Sequence, residues 1–301
     1  MDLSRFGAAP PWSLGVEEEL MLVDAETLEP ARDGFSRVFG KATERIKPEL
    51  FESFVEITTT VVETPEEAET ELRTLRSEVA ERAAANGLAL LATGSHPTAR
   101  GRVPIVPVDR YRRLKAELGT ALYRQQICGL HVHVAVPDPE TCLRAFEGVV
   151  PRLPSLLAAS VNSPFWEGAE SGWRSIRSQI LLEMPTGGTP PVLRTWDDWK
   201  AATREDSTRR HWDAWPRPEY GTLEVRVLDQ PTSLRRTAEL AAEVQRLVRE
   251  AADADGPPFD REEYAVLRDA AGRDGSGPEA ERQLELGPEA AVREIAALTL
   301  G

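Results

Sequence analysis

The 301 residues carry 36 basic and 50 acidic side chains, a formal charge of −14, and only four of the basic residues are lysines: Lys41, Lys47, Lys115 and Lys200. An acidic surface argues against broad nucleic-acid binding and against anionic membranes as partners. The one Gly-Lys pair, Gly40-Lys41, is followed by Ala42, so there is no Walker-type phosphate loop, and phosphate chemistry would rest on arginine or on metal ions held by carboxylates.

A hydrophobic fraction of 41% and a charged fraction of 29% describe an ordinary globular chain with a sizeable core. Cys128 and Cys142 are too few and too far apart for a disulfide framework or a Cys-x-x-Cys site. The N-terminal stretch lacks a cationic start followed by an apolar run, and the apolar segment near 150–161 is broken by Pro151, Arg152 and Pro154. The expected setting is a reducing cytoplasm with no membrane partner.

Ser13 to Asp24 reads as the first strand. Within it, Gly15-Val16-Glu17-Glu18-Glu19-Leu20 places Glu17 and Glu19 on one face, about 7 Å apart by strand geometry. Three adjacent carboxylates in a strand call for a compensating cation. Solvent-facing glutamates are an equal reading of the motif alone, but the apolar continuation Leu20-Met21-Leu22-Val23 favours metal binding.

The run 52–62 reads as a second strand, where Glu52 and Glu56 share a face; Glu49 has the opposite parity and needs a turn or bulge to join them. Thr64-Pro65-Glu66-Glu67 is a capping box opening a helix that carries Ala68, Leu72, Leu75 and Val79 and stops at Gly87. After a strand at 88–93, the run 128–137 holds Cys128-Gly-Leu-His131-Val-His133-Val, two of the four histidines at strand spacing. Zinc would need more nitrogen or sulfur ligands nearby, so a hard-cation site combining a histidine with carboxylates is the better reading. Packed histidines with satisfied hydrogen bonds stay open for His133.

Asp138-Pro139 opens a second helix. Asn162-Ser-Pro-Phe-Trp166, followed by Trp173, Arg174 and Arg177, suits a ligand carboxylate held beside an aromatic wall, or a packed turn. The strand at 220–230 alternates Glu224 and Arg226 with valines, putting a carboxylate and a guanidinium on one face. Ser233 opens a third helix. Residues 251–301 hold 12 acidic and 5 basic residues, a net −7, with Gly- and Pro-rich stretches at Gly256-Pro257-Pro258 and 272–278. They read as an exposed, partly mobile acidic extension with short helices, giving a 1–250 catalytic domain and a 251–301 extension packed on it or trailing from it. Irregular alternation of helices with half-polar strands predicts an α+β fold, an antiparallel sheet with one polar face and helices behind it.

In this order, the strings Leu14-Gly-Val-Glu-Glu-Glu-Leu, Glu49-Leu-Phe-Glu-Ser, Gln126-Ile-Cys-Gly-Leu-His-Val-His-Val, Ser163-Pro-Phe-Trp and Tyr220-Gly-Thr-Leu-Glu-Val-Arg-Val resemble the carboxylate–amine ligase family related to type 2 glutamate–cysteine ligases. The resemblance spans about 12 to 250. It implies a glutamine-synthetase-like fold, a curved antiparallel sheet forming a funnel. It further implies ATP with Mg²⁺ or Mn²⁺, activation of a carboxylate (glutamate being the first candidate) as an acyl phosphate, and attack by an amine or amino acid. By the same resemblance, Glu17, Glu19, Glu49, Glu56, His131 and Glu224 would ligate metal. Arg226 and Glu224 would act at the transferred phosphate, His133 and Arg226 would meet the nucleotide, and Arg177, Arg174 and Trp166 would hold the amino-acid substrate. Nucleic acid is not expected, and homo-oligomerisation is left open.

The likeness departs at Trp215, which stands where the family's Trp-Asp-x-Arg-Pro string has Arg; Arg217 is the candidate replacement. The stretch from Pro190 to Trp212 is shorter than the family pattern, and the region after 250 diverges. These departures surround the substrate end. They keep open a non-catalytic nucleotide- or partner-binding relative, and metal-dependent amide hydrolysis would use the same carboxylates without ATP.

Overall fold

A computed structural model describes residues 1–184, 187–203, 211–253 and 259–300. Seven strands build the principal sheet: β1 (Leu14–Asp24), β2 (Ile46–Pro48), β3 (Phe54–Thr58), β4 (Leu88–Leu91), β5 (Gly129–Ala135), β10 (Ala214–Arg217) and β11 (Thr222–Asp229). Their order is β10-β11-β5-β1-β3-β2, and every pairing is antiparallel. The first half of β1 pairs with β5 and its last four residues pair with β4, while β3 runs along its other edge. Two ribbons stand apart: β6 (Phe165–Trp166) with β7 (Ala169–Glu170), and β8 (Gly187–Gly188) with β9 (His211–Trp212).

Period-2 patterning sorts the sheet into two faces. Leu14, Val16, Leu20 and Leu22 of β1, Val55 and Ile57 of β3, Leu130, Val132 and Val134 of β5, and Leu223, Val225 and Val227 of β11 are all buried in one apolar cluster. Helices α2 (Pro65–Ala84), α4 (Pro139–Val149), α5 (Leu153–Ser160) and α8 (Leu234–Ala251) supply the other side of that core through Leu72, Leu75, Val79, Phe146, Leu157, Val244 and Val248. The residues of opposite parity, including Glu17, Glu19, Glu56, His131, His133, Glu224 and Arg226, therefore share the other face.

The expected strands and helix starts are observed, with the run at 52–62 reduced to Phe54–Thr58 because a turn at 51–54 precedes it. Helix α2 begins at the anticipated capping box, Thr64 accepting from Glu67 N–H and the Glu67 carboxylate reaching back. Asp138 caps α4 and Ser233 caps α8 through their side chains. The remaining helices are α1 (Gly34–Val38), α3 (Asp109–Leu118), α6 (Ile176–Ile180), α7 (Trp196–Ala202), α9 (Arg261–Asp274), α10 (Pro278–Leu286) and α11 (Pro288–Leu298).

Of the two arrangements open for the region after residue 250, packed on the preceding domain or trailing from it, the last three helices take the packed one. Arg268 of α9 is buried against Asp213, its Nε 2.6 Å from Oδ2, and the Tyr264 hydroxyl donates to the same oxygen at 2.6 Å. Glu279 of α10 accepts the N–H groups of Thr232 and Ser233 at the start of α8, both at 3.0 Å. The acidic charge sits on the outward faces, while a few positions per helix (Ala271, Ala280, Val292, Ile295) make the buried contacts. Gly256-Pro257-Pro258 lies outside the described residues.

Candidate active site

Cross-strand register builds the site. On the polar face Glu17 lies opposite His131, Glu19 opposite Glu56, and Glu224 opposite His133, so four adjacent strands contribute carboxylates and imidazoles in one row. Glu49 joins them from the turn between β2 and β3, the chain reversal that its parity demanded. Glu52, expected on the same face as Glu56, is not there. It lies before β3 begins, so strand parity does not apply, and its carboxylate accepts from the backbone and hydroxyl of Ser36.

The face opens into two cavities. One, of about 310 Å³, is lined by Glu17, Glu19, Glu49, Glu56, His131, Arg177, Arg217 and Arg226, together with Lys47, Arg110, Tyr111 and Tyr220. The other, of about 540 Å³, shares Glu17, Lys47 and Tyr220 and adds His133, Thr222 and an apolar wall of Ala8, Leu14, Val61 and Ala135. Glu17 stands at their junction.

There, Glu17, His133 and Glu224 offer three ligand atoms within 4.8 Å of one another. His133 Nε2 is 3.6 Å from Glu17 Oε1 and 3.6 Å from Glu224 Oε1, while its Nδ1 lies 2.9 Å from the Thr222 hydroxyl. Nε2 is buried and has no hydrogen-bond partner, an expensive arrangement for a polar atom unless something binds it. A ring nitrogen held by its other nitrogen's hydrogen bond and aimed at two carboxylates is the geometry of a metal-binding histidine. The residues present fit a divalent cation. His133, anticipated beside the nucleotide, thus offers a ligand atom to this cluster, while His131 sits between Glu17 (Nδ1–Oε2, 3.4 Å) and Glu19 (Nε2–Oε1, 3.8 Å).

The electrostatics divide the carboxylates. Burial opposes the charge of Glu17, yet His131 and His133 hold its pKa well below the usual range. Glu224 is completely buried, and Arg226 and Arg217 overcome the desolvation to keep it ionised. Glu49 is pushed up to about 8 by burial and by the charges of Glu19 and Glu56, and Glu56 is raised by burial and Glu17. Burial and mutual repulsion within the Glu19/Glu49/Glu56 group therefore favour protonation of Glu49 and Glu56 until a cation is supplied; Lys47 Nζ lies 3.4 Å from Glu56.

Arg226 contacts Glu224 Oε1, and Arg217 Nη1 donates to Glu224 Oε2 at 2.6 Å. Trp215 is the register partner of Glu224, and Arg217 lies two residues along the same strand on the same face. A guanidinium thus reaches Glu224 even though Trp215 occupies the position of the family Arg. Trp215 stacks on Trp199 at 5.4 Å and packs against Trp212 at 4.6 Å. Residues 204–210 of the 190–212 segment lie outside the described residues.

The proposed acid-binding loop is only partly in place. Arg177 lines the first cavity, but its guanidinium donates to the carbonyls of Arg226 and Val227 and lies 3.8 Å from Asp229. Trp166 borders a separate crevice beside His96 and stacks with Arg124, and Arg174 does not line either cavity. Asp229, the last residue of β11, fixes the loop at the end of the sheet by accepting from the Asn162 N–H and the Ser163 and Ser175 hydroxyls. Instead, Arg110, Tyr111 and Lys47 line the first cavity. None of these stands in a polar-alternating strand motif, which is why the sequence pattern passed over them.

The family model of glutamate–cysteine ligase family 2 matches residues 13–281. The chain belongs to that family. Among its relatives, a Rubrobacter xylanophilus protein provisionally named glutamate–cysteine ligase 2-1 is 39% identical over 266 residues, covering 83% of this chain and 71% of the relative. A similarly named Nocardia farcinica protein is 36% identical over 288 residues, with 91% and 75% covered. In structure this family member is similar to a bifunctional glutathione synthetase from Pasteurella multocida, with TM-score 0.65 at 16% identity over 96% of this chain and 49% of that one. It is also similar to the Francisella tularensis glutamate–cysteine ligase in complex with AMP, with TM-score 0.59 at 14% identity over 99% and 82%. The sheet is therefore the glutamine-synthetase-like α+β fold expected of the family. Among the described residues, no helix is long and apolar enough to cross a membrane.

Proposed function

We propose that this family member is an ATP- and Mg²⁺-dependent ligase that joins an amino-acid carboxylate, with glutamate as first candidate, to an amine through an acyl phosphate. The observation that carries the reading is the partnerless Nε2 of His133 facing Glu17 and Glu224 at the junction of two cavities. Glu17, His133 and Glu224 would hold one cation, and Glu19, Glu49, Glu56 and His131 are the candidates for further ligation. A hard cation there supplies charge neutralisation for a triphosphate and for the phosphoryl group in transfer.

The chain's own residues do the rest. Glu224 holds Arg226 and Arg217 in place, so two guanidinium groups face the site and stabilise negative charge as it moves between oxygens. In the first step a substrate carboxylate oxygen bonds to the γ-phosphorus as its bond to the β-phosphate oxygen breaks, and ADP leaves. In the second, the amine nitrogen bonds to the acyl carbon, the carbon–oxygen bond to phosphate breaks, and the amine loses a proton. The apolar wall of the second cavity suits a base and ribose, and the charged first cavity suits the acid and amine.

The test is ADP and phosphate release over a panel of acid and amine pairs, with Glu224→Ala as control. Metal- and ATP-dependent turnover that requires both an acid and an amine, and is lost in the variant, supports the reading. ADP formation indifferent to every amine, or product release without nucleotide, overturns it.

A further inference from the structure

Strand β11 carries a bulge at the residue that brings Arg226 to the site. Val225 pairs with Val132 and Leu228 with Leu130, so Arg226 and Val227 together oppose His131 alone. A bulge disrupts the ladder locally and re-aims the side chain it carries. One side chain meets both carbonyl oxygens of this bulge. Arg177 Nη2 donates to the Arg226 carbonyl at 3.1 Å, and Nη1 donates to the Val227 carbonyl at 3.3 Å. The Arg226 backbone is held from its other side as well, its N–H donating to the Asp213 carbonyl at 2.8 Å. The Arg226 side chain then lines the first cavity and contacts Glu224.

Arg177 is itself fixed from several directions. Its backbone N–H donates to the Ser163 hydroxyl at 3.2 Å, and that hydroxyl donates to Asp229, on the same strand as Arg226. Ser175, which also donates to Asp229, caps the short helix α6 that carries Arg177. The guanidinium lies over Gly129 of β5, where a Cβ would overlap it, and the residue is only 3% exposed. A buried guanidinium must find partners for its donors, and here each terminal nitrogen commits one to the backbone. Two donors set on two consecutive carbonyls use the planar fork that arginine has and lysine lacks. The arrangement is that of a brace between the Asp229-tethered loop and the bulge.

We infer that Arg177 is a positioning residue: through the two bulge carbonyls it fixes where Arg226 points into the first cavity, and so where positive charge stands against the phosphoryl group in transfer. This role replaces the contact with the substrate carboxylate that the family resemblance suggested for Arg177. Its effect on turnover rests on the ligase reading, whereas its effect on Arg226 does not.

The experiment compares wild type with Arg177→Lys, which keeps the charge and loses the fork, and with Gly129→Ala, which keeps Arg177 and displaces its guanidinium. Circular dichroism and melting temperature confirm the fold, and either variant alone carries the test. In ligand-free chains labelled with ¹⁵N-arginine, the Arg226 Nε–Hε signal is followed by nuclear magnetic resonance and assigned by its loss in Arg226→Lys. The acid–amine pair that releases ADP in wild type then supplies kcat and KM. The Arg226 signal is expected to shift in both variants, with kcat falling about tenfold or more while KM for the acid and for ATP stays within about threefold. An Arg226 signal unmoved in the folded variants overturns the inference, as does an unchanged kcat in a chain whose Arg226 signal has moved. A raised KM for the acid at unaltered kcat also overturns it, because Arg177 then grips the substrate. A shifted signal with no ADP-forming pair in wild type defeats the ligase reading alone. Amine-dependent turnover in wild type with an unmoved signal in the variants defeats the positioning role alone.

Discussion

Strand β1 handles the same problem in two ways on its two faces. On the apolar face Glu18 is fully buried and receives a complete set of partners: Arg76 Nε and Nη2 at 2.7 Å each, Gln230 Nε2 at 3.0 Å and the Thr237 hydroxyl at 2.6 Å. Arg76 in turn donates to the carbonyls of Thr232 and Thr299 at 2.7 Å, so the pair ties the site strand to α2, to the start of α8 and to the end of α11. On the other face Glu17 has imidazoles at 3.4–3.6 Å, Glu19 has an imidazole at 3.8 Å and the Gly129 N–H at 2.6 Å, and neither has a guanidinium within salt-bridge distance among the described residues. Residues adjacent in sequence thus divide into a closed ion pair that organises the fold and a cluster that faces the cavities.

Breaking the closed side should have the largest effect on stability. Arg76→Met strands a buried carboxylate, and urea unfolding is expected to show a loss of about 3–5 kcal/mol. Adding Glu18→Gln to it should recover much of that loss. By contrast, Glu17→Gln on the open face should cost less cation-free stability than Arg76→Met, because it forfeits only the contacts with His131 and His133 that keep the carboxylate ionised. A Glu17→Gln chain as unstable as Arg76→Met would erase the distinction between the faces.

His96 sharpens the comparison with a third treatment, a buried group kept neutral. Its Nε2 lies 2.8 Å from the Leu28 carbonyl and its Nδ1 accepts the N–H groups of Thr98 and Ala99, and burial lowers its pKa to about 4. The folded value is below the unfolded one, so above about pH 6.5 it contributes no pH dependence. As pH falls from about 6.5 to about 4, the unfolded chain gains a proton that the folded chain refuses, and stability declines by about 3 kcal/mol in total. His96→Gln should remove that component of the slope when unfolding at pH 7 and pH 4.5 is compared with wild type. Identical slopes would show that His96 titrates normally.

Gly129 probes the open face through packing. A Cβ there would clash with Arg177 Nη2, so Gly129→Ala must displace the guanidinium that crosses it. The expected cost is about 1–3 kcal/mol in stability, accompanied by loss of the Arg177 contacts to the Arg226 and Val227 carbonyls. A melting temperature unchanged from wild type would contradict that placement.

What the sequence revealed follows the range of each interaction. Strand parity made the Glu17/Glu19/Glu56/His131/Glu224 face readable, because period 2 is a local property, and it even required the turn that brings Glu49 in. The partner of Glu18 was also legible in principle. Arg76 falls on the stripe formed by Leu72, Leu75 and Val79, and an Arg on an apolar stripe signals a buried counter-charge. Arg110, Lys47 and the displacement of Trp166 were not legible. They depend on how α3, β2 and the Asp229-tethered loop are placed against the sheet, which no local pattern encodes. How the region after 250 is anchored was hidden for a related reason. Its composition is dominated by outward charges, and the few residues that anchor it, such as Arg268 and Glu279, resemble those charges until their partners are known.

The central claim is that the open face of β1 holds a divalent cation through Glu17, His133 and Glu224. Mn²⁺ titration followed by electron paramagnetic resonance, in wild type and in His133→Gln, tests it most directly. The account predicts a tightly bound ion with imidazole nitrogen coupling in wild type, and at least tenfold weaker binding with altered coupling in the variant. Equal affinity and an identical spectrum in the two chains would contradict it.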